Sequence, residues 1–167
     1  MLEEALKETK AKWTFVRAGS FTENLLMMLP AAQHQGVLPN FFPPDLKLAT
    51  IATRDIAAVA VRSLLSPPAA SEVVYVLGSH EYSAIDHAAY LSKKLGKEVK
   101  LLNLPVSAAA GAMQQGGLGA SLAGLFQEMY EGAMKGLLGV EPGHHVEKGP
   151  TTLEQALDPH FGSQGGR

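Results

Sequence analysis

The stretch Val73-Val74-Tyr75-Val76-Leu77 constrains the fold more than any other feature of this chain. Five successive apolar residues, mostly β-branched or aromatic, form a strand whose alternate side chains point to opposite sides. Both sides must therefore be covered, which is the situation of a sheet flanked by helices. Gly78 closes the run. On either side, segments of helical and strand character alternate. Leu2, Ala5, Leu6 and Thr9 share a helical face, and Trp13 to Arg17 reads as a strand. Ala18-Gly19-Ser20 forms a turn, with Ser20 or Thr22 capping a helix that carries Glu23 in its first turn, holds Leu25, Leu26, Met28 and Leu29, and ends at Pro30. Residues 36–46 read as loop, with Pro39, Pro43 and Pro44 around an exposed Phe41-Phe42 pair, and Leu48 to Ile51 as a short strand.

Thr53 caps the next helix, whose apolar face is Ile56, Val59, Ala60 and Leu64, with Asp55 near its positive end and Ser66-Pro67-Pro68 beyond it. Ser83 and Asp86 form a capping-box start for a helix that runs to Gly96. Val99 to Leu104 is a further strand. Residues 107–139, rich in Ala, Gly, Met and Leu, give one or two helices broken at Gly116-Gly117-Leu118-Gly119. Residues 139–150 read as loop, Thr151 or Thr152 caps a short helix over Leu153 to Leu157, and residues 162–167 read as a flexible tail. Alternating strands and helices argue for an α/β fold containing at least part of a parallel sheet.

Composition removes whole classes of function. Lys and Arg total 14 against 16 Asp and Glu, so no basic excess favours a nucleic-acid backbone. Hydrophobic residues make up 46%, too many for a disordered chain. With no cysteine there is no disulfide, thiolate nucleophile or cysteine-bound metal, a pattern that suits a reducing cytoplasm. The first eight residues lack the apolar core of a signal peptide, and no apolar run approaches the roughly 18 residues of a membrane span. The reading is a cytoplasmic protein. The adjacent histidines His144-His145 have no third ligand placed by spacing, so no metal is expected. No serine sits in a Gly-x-Ser-x-Gly elbow. Arg54 and Asp55 read as the charged first turn of a helix rather than as ligand contacts. Tyr90 and Lys94 read as a surface pair.

Four stretches, in order, resemble the NmrA-like family of atypical short-chain dehydrogenase/reductase proteins. Arg17-Ala18-Gly19-Ser20-Phe21-Thr22-Glu23-Asn24-Leu25 resembles the family's Arg-Pro-Gly-x-Phe-x-Glu-Asn-Leu, with Ala18 where Pro is usual. Ala52 to Ala57 resembles its Asp-x-Arg-Asp-Ile-Ala helix start. Val73 to Gly96 resembles its strand, Gly and Ser-capped helix, and Thr151 to Glu154 its C-terminal Thr-Leu-Glu-Glu helix.

The resemblance covers the family's second half. Residues 1–161 would be the C-terminal portion of an NAD(P)-binding domain, a partial Rossmann-like parallel sheet with a helix-rich substrate side. The strand, GxxGxxG turn and helix that hold the dinucleotide pyrophosphate in the family are not among these residues. The resemblance implies an NAD(P)-dependent oxidoreductase of quinones or carbonyls, inactive without that segment, or alternatively an NAD(P)-sensing regulatory or interaction module. It places Ala18, Gly19, Ser20 and Phe21 beside the cofactor, and Phe21, Asn24, Met28, Phe41 and Phe42 along the substrate. No catalytic residue is assigned. The expected partner is a small-molecule substrate, with self-association or pairing through an uncovered sheet edge.

Overall fold

A computed structural model describes residues 2–136 and 139–161; the tail anticipated at 162–167 lies outside the described residues. In chain order the elements are α1 (Leu2–Lys7), β1 (Thr14–Ala18), a 3-10 helix (Thr22–Met28), α2 (Leu29–Gln35), β2 (Val37–Asn40), β3 (Leu48–Ala49), α3 (Thr53–Leu65), β4 (Glu72–Gly78) and β5 (Glu81–Tyr82). There follow α4 (Ala84–Leu95), β6 (Lys100–Asn103), a 3-10 turn (Val106–Ala108), α5 (Ala109–Gln115), α6 (Ala120–Met134), β7 (His145–Gly149), α7 (Leu153–Leu157) and a final 3-10 turn (Asp158–Phe161). They form two compact units.

The first unit comprises Met1–Asn24, Leu48–Glu81 and Val140–Arg167. Its sheet runs β1-β4-β7, all parallel, with Val16 opposite Val74 and Val76 opposite Glu147. The apolar run of β4 occupies the centre, as its composition requires. Val74 and Val76 face α3, packing with Ile51, Val59, Ile56, Val16 and Ala18. On the opposite face Val73 and Tyr75 pack with Phe15 and Trp13, whose rings stack at 4.1 Å.

The second unit comprises Leu25–Lys47 and Tyr82–Gly139. Here β2 pairs in parallel with β6, Leu38 opposite Leu101 and Asn40 opposite Asn103. Helix α4 joins β6 through Ser92, whose hydroxyl accepts the Val99 N–H at 2.9 Å. Helices α5 and α6 pack on each other. The break between them falls at Gly116 to Gly119, as composition suggested.

Several local expectations change. Pro30 does not end a helix. It lies in the first turn of α2, where its missing N–H costs nothing, and α2 ends at Gly36 with φ 68°. Residues 36–46 are not all loop, because β2 finds its partner in β6 across a long sequence separation. Pro39 is tolerated there because, among the described residues, β2 pairs with β6 alone and so has an edge that needs no N–H donor. Residues 139–150 are not all loop either: His145–Gly149 is a strand because β4 offers it a ladder. Thr53 is not the cap of α3. That position is Ala52, and the Glu23 carboxylate takes both the Thr53 N–H (3.0 and 3.1 Å) and its hydroxyl (2.8 Å).

Candidate functional site at the carboxyl ends of the parallel strands

Ligands of parallel α/β sheets sit beyond the C-terminal strand ends. In the first unit these ends are Ala18-Gly19-Ser20 after β1, Gly78-Ser79 after β4 and Gly149-Pro150-Thr151 after β7. They are bound to one another. The Gly19 N–H donates to Val76 O and the Ser79 N–H to Gly149 O, both at 2.9 Å. The Ile51 N–H donates to Ser20 O, and the Thr22 N–H to Ile51 O, again at 2.9 Å.

Glycine is needed at these ends because there is no space for more. A Cβ on Gly19 would lie 3.0 Å from Leu77 Cδ2 and 3.1 Å from Ala49 O. On Gly78 it would overlap the Thr50 carbonyl, and on Gly149 the side chains of Asp55 and Ile51. Gly19 thus serves the packing of the strand ends directly. The Ser20 carbonyl and the Gly19 N–H are already spent within the fold. What this turn presents outward is the exposed Ser20 and the Phe21 ring, which is 41% exposed, followed by exposed Asn24.

The charges of the Arg17 and Arg54 segments are structural. Arg17 donates bidentately to Glu3 (3.1 and 2.6 Å), to Tyr75 Oη (2.7 Å) and to Glu141 (3.0 Å). Those hydrogen bonds raise its pKa and hold the Glu3 carboxyl below its ordinary range. Arg54 Nε donates to Thr151 Oγ1 at 2.9 Å. Asp55 accepts the Thr151 hydroxyl (2.8 Å) and N–H (3.0 Å), so its main partner is the β7–α7 turn. Buried Thr50 leaves its hydroxyl without a hydrogen-bond partner. His144 meets Glu141 at 3.3 Å, and no metal-holding group occurs among the described residues.

Met28, Phe41 and Phe42 belong to the second unit. Phe41 is not exposed: it is buried and stacked on Tyr130 at 5.6 Å, while Phe42 meets the same ring edge-on at 5.1 Å. Sequence reasoning missed Tyr130. Its only trace was the i, i+4 spacing with Phe126, which any packed helix face shows. Tyr90 is not a surface residue either, being 6% exposed, so Tyr90 and Lys94 do not form an open catalytic pair.

The profile of the NmrA-like family matches residues 1–155. The chain belongs to the NmrA-like family. It is 35% identical over 130 residues to an NAD(P)H azoreductase of Xenophilus azovorans, covering 77% of this chain and 44% of that enzyme. It is 31% identical over 134 residues to quinone oxidoreductase 2 of Escherichia coli, covering 80% and 46% respectively.

Among solved structures, the E. coli NADPH-dependent quinone oxidoreductase in complex with NADPH superposes with a TM-score of 0.77 at 30% identity, over 95% of this chain and 57% of that one. Citrobacter triphenylmethane reductase complexed with NADP(H), at 17% identity and a TM-score of 0.72, shares the fold over 94% of this chain and 56% of its own. This NmrA-like chain therefore has the Rossmann-like α/β architecture of NAD(P)-dependent oxidoreductases, and spans about half the length of these relatives. Among the described residues, no helix is long and apolar enough to cross a membrane.

Proposed function

We propose that this chain forms the acceptor side of an NAD(P)H-dependent reductase of quinones or similar small conjugated carbonyl or azo compounds, working in the cytoplasm. The observation that carries the reading is the outward presentation of Ser20 and Phe21 at the carboxyl end of β1, in a family whose sequenced and solved relatives here reduce quinones and azo compounds with nicotinamide nucleotides. The dihydronicotinamide supplies the hydride when bound. Ser20 and the Phe21 ring suit the nicotinamide end of such a cofactor, one as a hydrogen-bonding group and the other as an apolar wall. Ala18 and Gly19 support them by closing the strand ends tightly. Exposed Asn24, in the 3-10 helix that follows this turn, would meet the acceptor. Flat conjugated acceptors need orientation and exclusion of water more than they need a general acid.

The pyrophosphate is a different matter. Its usual grip is a glycine-rich turn at a helix N-terminus directly after a strand. The glycines of β1, β4 and β7 are filled against by protein, and Gly116 to Gly119 lies between two helices. We therefore expect these residues alone to bind NADPH poorly and to turn nothing over. Calorimetric titration of the chain with NADPH should show no micromolar binding. Joining it to the strand–GxxGxxG–helix portion of the azoreductase relative should give NADPH oxidation dependent on an added quinone. Micromolar binding by the chain alone would refute the division of labour. A folded, NADPH-binding hybrid without turnover would favour the alternative, an NAD(P)-sensing module.

Among the described residues β1 is paired on one side only, and self-association by strand pairing on its other side belongs to the same proposal.

A further inference from the structure

Helix α1 keeps its place in the first unit without a core of its own. None of its six residues is buried, and Leu2 and Leu6 are 77% and 38% exposed. A helix of that length does not persist alone in water, because fixing its first turn costs more than so few hydrogen bonds return. Charge holds it instead. Glu3 takes the two-pronged donation of Arg17, and Lys7 Nζ lies 6.0 Å from the centre of the Phe15 ring.

These two attachments have matching spacings. Glu3 and Lys7 are separated by roughly 6 Å of helical rise, and Arg17 and Phe15 by roughly 6.7 Å of strand. Glu3 meets the later strand residue and Lys7 the earlier one, so α1 lies antiparallel along β1. Trp13, Phe15 and Arg17 alternate with Thr14 and Val16 and share one side of the strand. The row that α1 follows is therefore Arg17, Phe15 and then half-buried Trp13, stacked on Phe15. The Arg17 guanidinium also donates to Tyr75 Oη and to Glu141, and sits 5.5 Å from the centre of the Tyr75 ring. Losing Glu3 leaves Arg17 those partners, so no unpaired charge is stranded on the sheet.

We propose that α1 is a strap held by one ion pair over the Trp13–Phe15–Arg17 row, and that it lifts when the Glu3–Arg17 pair is screened or neutralised, uncovering the aromatic face of the sheet. Exposure of that face then follows ionic strength. The Arg17 and Glu3 side chains are 28% and 35% exposed, so ions in solution reach the pair. Without it α1 keeps only Lys7, whose Nζ also bonds Glu4 within the helix at 2.7 Å. The inference does not depend on the reductase reading.

Trp13 is the only tryptophan in the chain, so its emission reports on this row. The test is acrylamide quenching of the intact chain in about 0.01 M and about 1 M sodium chloride, between which the Debye length falls from about 30 to about 3 Å. The wild-type quenching constant should rise about twofold across that range, with thermal unfolding still cooperative. Glu3→Gln should show the high value already at low salt and respond little to more. Glu8→Gln removes the same charge from an exposed residue just beyond α1 and should behave as wild type.

Equal quenching of wild type and folded Glu3→Gln at low salt overturns the proposal. So does a wild-type constant that salt leaves unchanged, or a rise in Glu8→Gln equal to that in Glu3→Gln. If Glu3→Gln fails to fold, the salt series on wild type decides. The reductase reading is judged separately, by quinone-dependent NADPH oxidation in the joined protein, and either result there leaves the quenching result standing.

Discussion

Gly78 and Gly96 are the same residue type held for different reasons. At Gly78 a Cβ would run into the Thr50 carbonyl, and backbone cannot swing aside as a flexible side chain can. Gly78→Ala is therefore an overpacking change and should cost about 1–3 kcal/mol. At Gly96 a Cβ would meet nothing within 4 Å, but φ is 63°. Gly96→Ala should cost about 1–2 kcal/mol, entirely from the left-handed backbone. Urea denaturation of the two variants checks both values. A second substitution separates the causes: Thr50→Ala leaves the carbonyl in place and should not rescue Gly78→Ala. Gly96→Asn should recover part of its loss, since Asn tolerates that conformation better than Ala.

At the scale of elements, helix starts decide much of what holds each unit together. Helix α3 has no cap of its own and borrows the Glu23 carboxylate. Glu23→Ala should destabilise the protein by about 1 kcal/mol, in the range of a lost N-cap, measured by thermal melting. Helix α4 is capped locally by Ser83 and Asp86 in a reciprocal box. The Ser83 N–H and hydroxyl, bonding to Asp86 at 2.8 and 2.7 Å, hold its carboxyl below the ordinary 3.8. A lowered acid pKa gives stability that is complete above the unfolded value and is lost as pH falls through the folded one. The Asp86 contribution should thus persist through mildly acid pH and vanish only below about pH 4.

Its neighbour His87 acts earlier. Burial lowers its pKa below the ordinary 6.5, and its Nε2 is buried without a partner. The unfolded chain then binds the extra proton more readily than the folded one, so stability falls as pH drops below the unfolded value. NMR titration should find the His87 midpoint below 6.5. His87→Gln should flatten the decline in melting temperature in the pH range just under it, leaving the Asp86 region unchanged. A midpoint at or above the ordinary value would contradict the buried placement of this ring.

The whole molecule contains a parallel sheet centred on β4, with β1 and β7 each paired on one side only among the described residues. If copies pair as proposed, they would do so through the side of β1 that is unpaired among the described residues. Sedimentation velocity on the chain alone should show concentration-dependent oligomers, and joining a dinucleotide-binding segment that covers β1 should reduce them. A monomer at all concentrations would remove self-association from the proposal.

How much of this was legible in the sequence follows the range of the interactions. The central strand β4, the helices α3 and α4, the capping boxes at Ser83 and Thr152 and the Gly96 stop are written locally, in hydrophobic period and in side chains that bond two or three residues away. Those features, with the four family-like segments, were enough for the α/β class and the nicotinamide-dependent reductase family. Strand β7, His-Val-Glu-Lys-Gly, has no apolar pattern and is a strand only because β4 completes its hydrogen bonds. The same holds for β2 beside β6. Glu23 reads as part of its own helix and caps another. Tyr130 reads as one apolar helix position and stands against Phe41 and Phe42. Such pairings join residues tens of positions apart, so they leave no periodic or neighbouring signal, and only the folded backbone decides which groups meet.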